Sequence, residues 1–231
     1  MKKYSIGIDF GTLSARAVLA DVENGEILPS IYSFDYPHAV MTELGGRQLP
    51  HGYALQHPKD YTDALDYLIP KLVKDNGVAP EQVAGIAIDF TASTIFPINS
   101  EKIPLCFDEK FKDDPHAYVK LWKHHAKEEY AKAVLECAKK RNEKFLSATG
   151  DTITSEFMLP KLLEIFYESR ELYNDTYKFM QGGDFVASLL IGKKELHSKA
   201  FSAKQHYRNS EYPKKEFLAA IDAGFCGVYE E

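Results

Sequence analysis

The chain opens with two β-type segments set a few residues apart, in MKKYSIGIDFGTLSARAVLADVENGEIL. Residues 3–9, with Tyr4, Ile6 and Ile8, and the apolar run from Ala15 to Leu19 read as strands, and a short polar stretch around Asp9, Gly11, Thr12 and Ser14 joins them. Segments this close can only pair back on themselves, so an antiparallel hairpin is the expected start. A second turn follows at Asn24-Gly25, a favoured hairpin pair. Residues 27–36 read as a third strand, with Pro29 pointing to an edge or a bulge. The N-terminus is therefore predicted to be a three-stranded antiparallel meander.

Downstream the pattern changes. Residues 37–58, rich in Gly, Pro and His, read as loops. Residues 60–74 place Tyr61, Ala64, Leu65, Leu68, Ile69 and Leu72 at helical spacing, and Pro70 predicts a kink or a break. Residues 83–90, VAGIAIDF, read as a buried strand that runs into Asp89 as the first runs into Asp9. Residues 91–98 follow as a loop returning into a strand. Residues 115–141 read as one long helix with Trp122, His124 and His125 near its start, and 155–173 as a second helix. GGDFVASLLIG (182–192) reads as a third, closed by Gly192. No repeat, low-complexity segment or linker interrupts the chain. Its last residues, GFCGVYEE, suggest a stop at a domain boundary.

Bulk properties exclude several functions. With 231 residues and 45% hydrophobic content the chain can bury a sizeable core, as one large domain or two small ones. A net charge of −6 gives no basic footprint for nucleic acid or an anionic membrane. No apolar run nears the roughly 18 residues that span a bilayer. Asp9 and Arg16 interrupt any signal-peptide core. Cys106, Cys137 and Cys226 are odd in number and widely spaced, which fits reduced thiols in a cytoplasmic protein.

The first turn carries chemistry. Gly11 lets the backbone approach a ligand. Consecutive amide N–H groups with the Thr12 and Ser14 hydroxyls can cradle phosphate oxygens. Asp9 can hold Mg²⁺ through water, because that ion takes carboxylate oxygens and keeps much of its hydration. Arg16 adds a positive charge, its facing left open by strand alternation. The plain alternative is an ordinary hairpin in which Gly fits a turn and Asp caps it.

GIDFGTLSARAVL resembles the first phosphate-binding hairpin of the actin–Hsp70–sugar kinase superfamily, and its Asp-x-Gly-Thr-x-Ser-x-Arg order is similar to that of the FGGY carbohydrate kinases. GIAIDFTASTIFPIN, LWKHHA, TSEFMLPKLLEIFYES, YKFMQGGDFVASLLIG and FSAKQHY extend the resemblance over nearly the whole chain. Within the family they point to the members that phosphorylate L-ribulose at its 5-hydroxyl in arabinose catabolism. The resemblance implies an α/β, RNase-H-like domain with a mixed five-stranded sheet flanked by helices. It covers 1–231 as an N-terminal, sugar-binding domain, with room for a helical insertion around 110–180. The cofactors implied are ATP and Mg²⁺. The partners implied are a ketopentose and a C-terminal nucleotide-binding domain that no segment here matches, and a homodimer is among the assemblies it admits. The family's general base belongs to that second domain, so this chain alone is expected to be inactive.

By the same resemblance Asp9, Gly11, Thr12, Leu13, Ser14 and Arg16 bind phosphate and magnesium. Thr91, Ala92, Ser93 and Thr94 offer the sugar amides and hydroxyls, Trp122 an aromatic wall and Lys123 a charge. His124 and His125, adjacent in sequence, do not share a helix face, which argues against joint metal binding. Glu156 and Asp184 read as structural acids at helix starts. In FSAKQHY the family's sugar-contacting lysine has two candidates, Lys204 and His206. Two rivals stay open: another FGGY kinase acting on xylulose, glycerol or another polyol, and a non-enzymatic actin-like ATPase domain.

Overall fold

The computed structural model describes residues 1–192, 206 and 211–227. Its strands are β1 (Tyr4–Phe10), β2 (Ser14–Asp21), β3 (Tyr32–Asp35), β4 (Glu43–Leu44), β5 (Arg47–Gln48), β6 (Leu55–Gln56), β7 (Val83–Phe90), β8 (Ile95–Ile98), β9 (Val119–Lys120) and β10 (Lys178–Gln181). Its helices are α1 (Lys59–Asp75), α2 (Glu128–Arg141), α3 (Met158–Glu168), α4 (Arg170–Asp175), α5 (Gly182–Ile191) and α6 (Lys215–Ile221). The chain divides into two compact units. Unit one holds Met1–Met41, Gln56–Thr91 and, among the described residues, 182–192. Unit two holds Thr42–Leu55, Ala92–Gln181 and the described residues from 206 onward.

Unit one is built on the expected meander. Its sheet runs β3-β2-β1-β7, with β1 antiparallel to β2 and parallel to β7. The β1–β2 register pairs Ile6 with Leu19, Ile8 with Ala17 and Phe10 with Ala15, and all six are buried on one face. α1 buries Tyr61, Ala64, Leu65, Leu68 and Leu72 along one stripe. The Phe10 and Phe90 rings stack at 5.2 Å, and Tyr61 meets Phe90 edge-on at 5.1 Å.

Several expectations are corrected here. The sheet has four strands among the described residues, not five. The third strand is reduced to Tyr32–Asp35 plus an isolated bridge at Ile27. Beyond Pro29 the backbone at Ser30 exchanges hydrogen bonds with the Asn76 side chain at the end of α1 instead of with β2. Pro70 does not break α1. It and Asp66, whose carbonyl loses its helical donor, are both exposed, so water can satisfy that group. β7 is a strand but not a buried one: residues 84–87 are exposed. It pairs with β1 along one edge and has no second strand on the other among the described residues.

Unit two carries a second four-stranded sheet, β10-β8-β9-β6, and a helical core. Val134 and Ala138 of α2, Leu159, Leu162, Leu163 and Phe166 of α3, and Phe217 of α6 are fully buried together. α2 is charged in the sense of its dipole, with Glu128 and Glu129 in the first turn, basic residues in the last, and left-handed Asn142 closing it. The long helix expected over 115–141 is absent before Glu128. Residues 116–121 are buried consecutively instead of at helical spacing, and they form a 3₁₀ turn and β9. The helix expected over 155–173 is two helices, broken at Ser169, whose hydroxyl bonds the Asp114 carboxylate. The third expected helix is present as α5 in unit one, and Gly192 follows it at φ +61°.

Candidate functional site

In unit one the turn between β1 and β2 is held from beneath. The Tyr61 hydroxyl of α1 donates to Oε1 of buried Gln56, and Gln56 Nε2 donates to the Thr12 carbonyl at 2.7 Å. The Tyr36 N–H donates to the Leu13 carbonyl at 2.9 Å. In a planar trans peptide the C=O of one residue and the N–H of the next point in opposite directions. Anchoring the Thr12 and Leu13 carbonyls therefore turns the Leu13 and Ser14 N–H groups away from Gln56 and Tyr36. The Gly11 N–H closes the turn on the Ser14 carbonyl at 3.0 Å. A Cβ at Gly11 would lie 3.2 Å from that oxygen, closer than most side chains come, so the tight turn favours glycine.

Asp9 and Arg16 are register partners across the hairpin and both are exposed, on the face opposite the buried Ile6, Ile8 and Phe10. That settles the facing of Arg16. Asp9 is also the register partner of Asp89 on β7. Sequence reasoning noted Asp89 only as a strand end; the parallel pairing sets it beside Asp9. Two exposed carboxylates at neighbouring strand ends are the donor chemistry a hydrated Mg²⁺ accepts.

In unit two the segments carrying Ala92, Ser93, Trp122 and Lys123 share one support, α3. Ser93 is fully buried with φ +61°, a conformation costing a non-glycine residue about 1–3 kcal/mol and kept only where its surroundings fix it. Its hydroxyl donates to the Glu156 carbonyl at 3.1 Å. Lys161 Nζ donates to the Ser93 carbonyl at 2.9 Å and to the Leu121 carbonyl at 2.6 Å. One turn further along α3, Glu164 Oε2 accepts from Lys120 Nζ at 2.7 Å and lies 2.8 Å from His124 Nε2. The Ala54 N–H donates to His124 Nδ1 at 3.3 Å, which assigns the neutral tautomer with its proton on Nε2, directed at Glu164.

Electrostatics agree with that assignment. Burial pushes the Glu164 carboxyl up, but Lys120 and His124 outweigh it and hold the group at about 2. Burial, reinforced by the Lys120 charge, pushes His124 down to about 3. Burial also pulls the Lys120 ammonium down, opposed above all by Glu164; the Tyr53 ring face lies 5.1 Å from the same nitrogen.

Trp122 and Lys123 thus sit in a turn pinned on both sides, not on a helix. Trp122 is 38% exposed. The paired histidines diverge: His124 is buried in the charge cluster, while His125 is exposed with Nδ1 3.0 Å from the Ser155 hydroxyl. A cavity of about 530 Å³ opens beside His125, lined by Gly52, Tyr53, Ser155, Glu164 and Glu168. Its lining does not include Ser93 or Trp122. Glu156 precedes the first turn of α3, and Asp184 lies in the first turn of α5. His206 is buried against the rings of Phe145 and Phe157, at 4.8 and 5.2 Å, and burial holds it down to about 4. Lys204 lies outside the described residues. Sequence reasoning missed Lys120, Lys161 and Glu164. Their only signal was charge within otherwise apolar runs, in YVKLW and MLPKLLEIF.

No helix among the described residues is long and apolar enough to cross a membrane. All three cysteines carry free thiols. Residues 4–207 match the family described as "FGGY family of carbohydrate kinases, N-terminal domain". The chain is 41% identical over 225 residues to the ribulokinase of Halalkalibacterium halodurans, covering 95% of this chain and 40% of that protein. It is 41% identical over 231 residues to the ribulokinase of Shouchella clausii, covering 98% and 41%. Among solved structures, a xylulose kinase from Rhodospirillum rubrum superposes with a TM-score of 0.71 at 16% identity, over 95% of this chain and 40% of that one. That likeness gives the fold, the actin/Hsp70-like α/β architecture of the sugar kinases. The chain spans about 40% of the length of the curated relatives it matches. Because the family match takes in the β1–β2 turn, the Ser93 turn and the Trp122 turn together, the chain belongs to the FGGY family of carbohydrate kinases, in its N-terminal domain.

Proposed function

We propose that this chain is the sugar-binding, phosphate-reaching part of an ATP-dependent ketopentose kinase that phosphorylates the 5-hydroxyl of L-ribulose. The observation that carries the reading is the 41% identity to ribulokinases over 225 residues, a stretch that includes both candidate loops. In the reaction the sugar oxygen bonds to the γ-phosphorus, the bond to ADP breaks, and the hydroxyl proton leaves to a general base outside these 231 residues. Such a transfer depends on alignment and charge neutralisation more than on covalent help from the protein. The outward-turned Leu13 and Ser14 amides, with the Thr12 and Ser14 hydroxyls, are suited to γ-phosphate oxygens. Asp9, with Asp89 beside it, would hold Mg²⁺ through water. When bound, that ion neutralises developing phosphate charge. Ala92, Trp122 and Lys123 would meet the ketose, with fully buried Ser93 setting the turn behind Ala92 and Lys204 in the segment that follows α5. Residues 1–231 then act as one N-terminal domain of a cytoplasmic enzyme whose nucleotide-binding half lies elsewhere in the protein.

The test is a ligand-dependent melting curve of the 231-residue chain. Ligand that binds only the folded state adds about 2.7 kcal/mol of stability at a hundred times its dissociation constant. L-Ribulose is expected to raise Tm more than xylulose or glycerol, since a site built on hydroxyl partners rejects analogues that leave those partners empty. An equal shift with all three would move the reading to a sister kinase. No shift with any sugar beside a clear shift with ATP would favour a non-enzymatic ATPase domain.

A further inference from the structure

We infer that Lys161 is a positioning residue that sets the sugar-facing wall by tying the Ser93 turn to the Trp122 turn. The inference rests on the sugar-site reading above. Lys161 lies on α3, is fully buried, and donates from one ammonium to two backbone carbonyls 28 residues apart in sequence, Ser93 and Leu121. Each carbonyl belongs to a segment with little regular structure of its own. Ser93 sits in a left-handed conformation directly after Ala92, and Leu121 directly precedes Trp122. A charged donor to a neutral carbonyl in a water-free interior is a strong and directional bond. With both bonds on one nitrogen, the two carbonyl oxygens are held within one ammonium's reach of each other. The Trp122 turn is fixed a second time from the same helix, because Glu164, one turn along, holds Lys120 and His124 on either side of it. α3 itself is anchored by apolar packing through Leu159, Leu162, Leu163 and Phe166. The wall's geometry is therefore inherited from a rigid helix instead of from the loops.

Trp122 is the one tryptophan in the chain, so its emission reads this turn without labelling. The experiment compares the 231-residue chain with its Lys161→Met variant, which keeps the apolar stem and removes the donor. Acrylamide quenching is measured first, followed by the Trp122 response to L-ribulose. In a folded Lys161→Met chain the expected result is stronger quenching, a red-shifted emission, and ribulose affinity lower by about 10- to 100-fold, in line with the cost of small misplacements at a binding site. A purely structural lysine would lower Tm and leave both readings at parental values, which would overturn the inference. If Lys161→Met does not fold, Lys161→Leu, which also removes the donor with a shorter apolar side chain, carries the same readings, and parental values there overturn it equally. The two readings also separate the hypotheses. Altered quenching in a chain whose parent never responds to ribulose upholds the tether and removes the sugar assignment. An unaltered variant of a ribulose-responsive parent does the reverse.

Discussion

Glu164 lies wholly inside unit two, with Lys120 and His124 on the same oxygen. The cluster is a poor source of net stability, because desolvating its charges offsets most of their attraction. Removing one partner is another matter. Glu164→Ala would leave the Lys120 ammonium buried without its counter-charge and is expected to cost about 3–5 kcal/mol, read from urea unfolding. The pH dependence follows from the same residue. Glu164 ordinarily titrates near 4.5 and is held at about 2 in the fold. Its contribution is therefore complete above about 4.5 and drains away as pH falls toward 2. Melting curves over that window should fall less steeply for Glu164→Gln than for the parent. Parallel curves would mean that the carboxyl is not depressed.

At the scale of elements, two junctions decide how unit one holds together. The N-terminus of α5 meets the end of β7 at Gly182, where a Cβ would collide with the Phe90 ring. Phe90 is itself clamped by Phe10 and Tyr61, so it cannot swing away. Gly182→Ala is expected to destabilise the chain by about 1–3 kcal/mol, the usual range for overpacking, measured by denaturant unfolding. The other edge of β7 pairs with no strand among the described residues, and residues 84–87, Ile86 among them, are exposed. Such an edge is a template for pairing between chains. Ala87→Lys places a charge there opposite Gly7, its register partner. Light scattering at rising concentration should fall for this variant, with stability unchanged within about 0.5 kcal/mol. A variant that scatters like the parent would clear β7 of self-association.

For the molecule as a whole, the two compact units divide the proposed labour. The residues suited to phosphate and metal, Asp9 to Arg16, lie in unit one, and Ala92, Ser93, Trp122 and Lys123 lie in unit two. Nothing in either unit supplies a general base under this reading. The 231-residue chain mixed with ATP, Mg²⁺ and L-ribulose is thus expected to release no ADP above background in a coupled assay, even where the sugar raises its melting point. Turnover by this chain would place the base among residues 1–231 and overturn that part of the proposal.

The meander, α1 and α5 were legible because each is a local pattern: alternation over β1 and β2, a 3.6-residue stripe over α1, and a glycine closing α5. The hairpin motif carried the superfamily for the same reason, since its chemistry is written in consecutive residues, and the segments at 89–94 and 121–125 narrowed it. The tertiary structure decided the rest. Residues 115–127 have helix-forming composition, yet long-range bonds from Ala54, Lys161 and Glu164 hold that segment in 3₁₀ and extended turns. β7 has the composition of an interior strand, but no strand pairs its second edge among the described residues, and residues 84–87 are exposed. The importance of Lys161 and Glu164 had no local signature. A buried charge is tolerable only beside partners far away in sequence, and only the folded chain brings those partners into place.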